Sequence, residues 1–142
     1  MVDNDPNPAA DATGREHVLP EDIRRFLLTS VSSVPYLEAL LLMRSEPDTC
    51  WTARQLSQRL YIGEKVARDL LDALVDSGVA AKMGTDSAQF TYHPATLSLS
   101  HLLDRVADCY AHHLVQVTNL IHSRAEKKAR LFADAFRWRK DS

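Results

Sequence analysis

At 142 residues, with 45% hydrophobic and 25% charged residues and a formal charge of -2, the chain has the size and composition of one globular domain with appendages. That balance excludes a protein that coats nucleic acid by bulk charge, and two widely separated cysteines, Cys50 and Cys109, argue against a disulfide framework and fit a reducing cytoplasm. The longest apolar run, Leu37 to Met43, is interrupted by Glu38 and followed by Arg44, well short of the roughly 18 residues that span a bilayer.

Residues 1–19 are acidic and hold two prolines, Pro6 and Pro8, without the basic and apolar stretches of a signal peptide, and are expected to form a disordered tail. Order is expected from Pro20, where a fixed backbone angle followed by Glu21 and Asp22 suits a helix start, and Ile23, Phe26 and Leu27 repeat at helical spacing. Ser32 and Ser33 offer caps ahead of Pro35 for a second helix, in which Leu37, Leu40, Leu41, Leu42 and Met43 make more than one face apolar and so predict burial. Pro47 and Asp48 end it, Cys50 and Trp51 suggest a brief strand, and Thr52 with Gln55 forms a capping-box pattern opening a third helix with Leu56 and Leu60 inward.

Tyr61, Ile62 and Gly63 read as a tight turn. A fourth helix follows, with Val66, Leu70, Leu71, Leu74 and Val75 as its buried stripe and Gly78 just past its end. Val79 to Met83 and Gln89 to Tyr92 read as strands around the polar loop Gly84 to Ser87, and Pro94 closes the unit. Two short helices, a tight turn and a strand pair are the order of a winged helix-turn-helix, so the expected fold is mainly α with a small β-wing, the domain spanning residues 20–96.

Residues 97–123 contain no Gly or Pro, and Leu99, Leu102, Leu103, Val106, Tyr110, Leu114, Val117, Leu120 and Ile121 recur at three and four, predicting one long helix. Read as heptads, Leu99, Val106, His113 and Leu120 alternate with Leu103, Tyr110, Val117 and Arg124. A helix of that length extends beyond its own core, so a homodimer through this seam is the preferred expectation. The alternative is that the same stripe packs only on its own chain. A last helix over 124–142 places Leu131, Phe132, Ala135 and Phe136 on one side; from Arg124 onward seven basic and three acidic residues give +4, leaving -6 for the remainder.

The run Leu56, Leu60, Ile62, Val66, Leu70, Leu74, Gly78, Val79 resembles the helix-turn-helix of the MarR and PadR bacterial regulators over about Leu56 to Tyr92, with Leu74 one step late. These are core and turn positions, which specify a fold more than an activity. In such regulators the start of the second helix enters the major groove and a long helix after the wing dimerises. The resemblance therefore implies a dimeric DNA-binding transcriptional regulator, with Glu64, Lys65 and Arg68 toward the groove. Arg54, Arg59 and Lys82 are candidates for the phosphate backbone, as are Arg137, Arg139 and Lys140 beside Trp138.

The charge count works against this surface. Gly63 to Gly78 holds two basic residues (Lys65, Arg68) against four acidic ones (Glu64, Asp69, Asp72, Asp76), and Gly84 to Ala88 holds no Lys or Arg. A winged helix used for protein contact is the alternative function. Cys109, His112 and His113 lack further ligands at diagnostic spacing, so no metal or other cofactor is expected and Cys109 reads as a small buried apolar residue. No nucleophile motif, phosphate-cradling glycine loop or paired carboxylates point to an enzyme. The expected partners are a second copy and duplex DNA, with a protein as the alternative to DNA.

Overall fold

The computed structural model describes residues 19–84 and 88–141, with side chains through Ala135. Residues 1–18 of the tail expected over 1–19, the hairpin tip at Thr85, Asp86 and Ser87, and the side chains of Phe136, Arg137, Trp138, Arg139 and Lys140 lie outside the described residues. The chain is mainly helical, with one small two-stranded antiparallel sheet.

Helix α1 (Glu21–Ser30) follows Pro20 with two carboxylates in its first turn, where the helix dipole favours negative charge, and it turns Ile23, Phe26 and Leu27 inward. Leu19 is buried with them, so the body starts one residue before the expected boundary. Ser33 caps α2 (Val34–Ser45) by accepting a hydrogen bond from the Tyr36 amide at 3.2 Å. Helix α2 is the centre of the molecule: Tyr36, Leu37, Ala39, Leu40 and Met43 are all buried, each large apolar side chain contributing about 1.5–3 kcal/mol. Its Tyr36 hydroxyl donates to Ser77 at 2.9 Å, and burial of that ring pushes the phenol pKa up.

Helices α3 (Ala53–Leu60) and α4 (Glu64–Asp76) form a hairpin that packs on α2. The inward stripe of α4 is Ala67, Leu70, Leu71 and Leu74, whereas Val66, expected inside, is 48% exposed. The two adjacent positions point about 100° apart, and the smaller one takes the place where the helices meet. Gly78 then reverses the chain at φ +80, a left-handed conformation that a side chain disfavours, and a Cβ there would stand 3.4 Å from that of Ala95.

Strands β1 (Ala80–Met83) and β2 (Gln89–Tyr92) pair from Ala80 opposite Tyr92 to Met83 opposite Gln89. Trp51 adds an antiparallel bridge on the other side of β2, exchanging both backbone hydrogen bonds with Phe90 at 2.7 and 2.8 Å. Both side chains are buried, which fastens the hairpin to the segment that leads into α3.

The single helix expected over 97–123 is instead two. Helix α5 (Leu97–His112) stops at His113 and α6 (Leu114–Asp141) runs on without interruption through Ser123, where a boundary was expected. No Gly or Pro marks the bend. It lets Leu103 and Val106 of α5 and Val117 and Ile121 of α6 enter the same core from two directions, and the His112 ring bonds the Asp108 carbonyl at 2.9 Å in the last turn of α5. These four residues, expected at a dimer seam, are therefore occupied by their own chain. Leu99, Tyr110 and Leu120 are partly buried against that core, His113 is half-buried at the bend, and Leu114 is exposed. Arg124 is fixed as well, donating to the Val31 carbonyl at 2.6 Å. No single helix among the described residues is long and apolar enough to cross a membrane.

Candidate nucleic-acid interface

The turn between α3 and α4 sets what this end of the molecule presents. Thr52 and Gln55 exchange capping hydrogen bonds at 3.1 and 3.0 Å, satisfying two amides at the start of α3. At its other end Tyr61 takes a left-handed conformation, φ 57, and the Ile62 amide donates back to Ser57 at 3.1 Å. Gly63 then caps α4 without any side-chain acceptor, so the first amides of α4 face solvent, a position suited to an anionic oxygen.

Glu64, Lys65 and Arg68 are exposed on the first turns of α4, with Arg54 and Arg59 exposed on α3 and Lys82 on β1. Three of the five cations already have partners. Lys65 pairs with Asp69 at 3.1 Å and Arg68 with Asp72 at 3.4 Å, each one helical turn on. The Arg68 guanidinium also lies 5.6 Å from the centre of the Phe90 ring, joining α4 to β2. Arg59 reaches back to Glu46 at 2.7 Å and covers the Trp51 ring at 5.4 Å, and its hydrogen bond, helped by its charge, holds the Glu46 carboxyl below the usual range. Arg54 and Lys82 have no carboxylate partner among the described residues.

Exposed pairs of this kind are worth about 0–1 kcal/mol, so a phosphate can recruit Lys65 or Arg68. It then meets the displaced carboxylate a few ångströms away, which sets the net attraction well below that of an unpaired lysine. Tyr61 lies in the turn as expected, and what the sequence did not indicate is that its ring is 93% exposed there. A bulky residue in a left-handed position is uncommon, and only the spacing of the turn hinted that position 61 would adopt it.

Cys109 is buried, its thiol pKa raised by that burial, while His112 is engaged with Asp108 and His113 lies beyond the end of α5. Among the described residues no three His, Cys, Asp or Glu stand close enough together to hold a metal ion. Among known proteins, no family model and no curated sequence matches this chain.

Proposed function

We propose that the chain is a dimeric winged-helix regulator that binds duplex DNA through α4, with the β1–β2 hairpin as its wing. The observation that carries this reading is the arrangement of α3, a tight turn, α4 and a hairpin fastened by Trp51 and Phe90. It leaves the open N-terminal turn of α4 beside the exposed Lys65 and Arg68, with Arg54 and Lys82 flanking. Glu64 is suited to accept from a cytosine amine and Arg68 to bind a guanine edge once released from Asp72. Such a regulator works in the cytoplasm, each copy reading one half-site, with Arg137, Arg139 and Lys140 as further phosphate contacts.

Retention on nonspecific duplex DNA at about 50 mM salt, falling steeply by about 200 mM, is the expected result. Lys65→Ala with Arg54→Ala should reduce the salt slope by about two. Failure to bind at the lower salt overturns the DNA reading. The self-paired Lys65, Arg68 and Arg59 favour a second reading in that event, a winged helix whose mixed-charge α4 face docks a protein.

A further inference from the structure

The face of α6 that enters the core continues past the point where the core ends. Val117 and Ile121 are buried, Arg124 is tied to Val31, and the same three-and-four spacing leads on through Lys128, Leu131 and Ala135. Beyond Arg124 the described residues leave it largely open: Leu131 shares a shallow groove with Leu28 of α1, yet every side chain from Ala125 to Ala135 is exposed, including Leu131 at 61% and Phe132 at 74%. The helix nevertheless persists to Asp141, an arm roughly 25 Å long at about 1.5 Å per residue. A solvated apolar stripe on an isolated helix of that length is marginal in water, and the described residues of the body leave it without a full cover.

Charge decides what the cover is. Lys127, Lys128 and Arg130 have no carboxylate partner among the described residues, and the sequence from Arg124 onward sums to +4 against -6 for the rest. Two arms packed on each other would place like charges together, whereas an arm laid on the body of another copy places opposite ones together. An acceptor of the right character lies between α1 and α5: a groove of ≈420 Å³ lined by Pro20, Ile23, Cys109 and His113 and rimmed by the exposed Asp108 and by Asp104, which pairs with Arg44 at 2.9 Å and must exchange that partly exposed partner for the arm. Arg105, also on its edge, is already held by Asp22.

We propose that two copies exchange arms, the Leu131–Phe132 face of each seating in the α1–α5 groove of the other with Lys127, Lys128 and Arg130 against Asp104 and Asp108. This rests on the two-copy reading above but not on DNA, so it is tested without nucleic acid. Sedimentation equilibrium of the full chain at about 50 mM salt should give twice the 16.0 kDa chain mass. A monomer throughout overturns the proposal and leaves duplex binding to be judged separately.

The arm-reversed variant (K127E, K128E, R130E) and the body-reversed variant (D104K, D108K) should each dimerise at least about tenfold more weakly, and mixing them should restore a heterodimer. A body-reversed chain that dimerises like the wild type overturns arm exchange in favour of arm-on-arm pairing. Asp108→Lys alone, at a site 77% exposed, gives the same contrast if the double variant does not fold, with helicity by circular dichroism as the control. Restored pairing only at high salt would also overturn it, because opposite charges attract most at low salt.

Discussion

The α3–α4–hairpin end and the α6 arm contain the same ingredients, apolar residues at three and four and interspersed cations, yet they are opposites as structures. At the first, every element is fastened to another: Trp51 to Phe90, Arg68 over Phe90, Arg59 to Glu46, Tyr36 to Ser77. On the second, no described side chain beyond Arg124 is buried. An apolar stripe predicts that a helix will be covered; it does not say by what. In the same way a cation counted in the sequence predicts a charge, and its availability depends on whether a carboxylate stands one turn away.

This contrast is most sharply tested at Trp51. Trp51→Ala removes a fully buried ring, the surface under Arg59 and the packing of the hairpin bridge, and should cost about 3–5 kcal/mol by urea unfolding. A loss under about 1 kcal/mol would mean that the hairpin end is not fastened as described. Gly78→Ala places a side chain in a left-handed backbone conformation near Ala95 and should cost about 1–2 kcal/mol in the same assay. Phe132→Ala, at a dilution where the chain is monomeric, should change stability by less than about 0.5 kcal/mol. A larger loss in the monomer would show that the arm is covered by its own chain, and the contrast between the two regions would fail.

Much of the fold is legible in local chemistry. Ser33, the Thr52–Gln55 box and Gly78 act where short-range hydrogen bonding and backbone freedom expect them, and α1 to α3 show their inward residues as apolar repeats. The errors lie where a distant neighbour decides. Val66 and Ala67 satisfy the helical spacing about equally well, and close packing selected the smaller residue for the inside. Nothing local breaks the helix at His113, because the bend exists to turn Val117 and Ile121 onto a core built largely from α1 and α2.

At the candidate interface the pairs Lys65–Asp69 and Arg68–Asp72 were readable from their four-residue spacing, while Arg59–Glu46 joins residues on either side of Trp51 and required the fold. Tyr61 was legible as a turn residue, but the exposure of its ring was not. Its exposure follows from the direction in which the turn projects it, not from its type.

The Trp51–Phe90 bridge also has a kinetic consequence. Its two amides belong to no helix and to a sheet of only two strands, the sort of place where hydrogen exchange with solvent is usually fast. Here each is bonded to the other residue's carbonyl at under 2.9 Å and sits beneath two buried aromatic rings, so neither can open without releasing the core. Their protons should exchange on the timescale of global unfolding, which makes this one pair of amides a clock for the whole body.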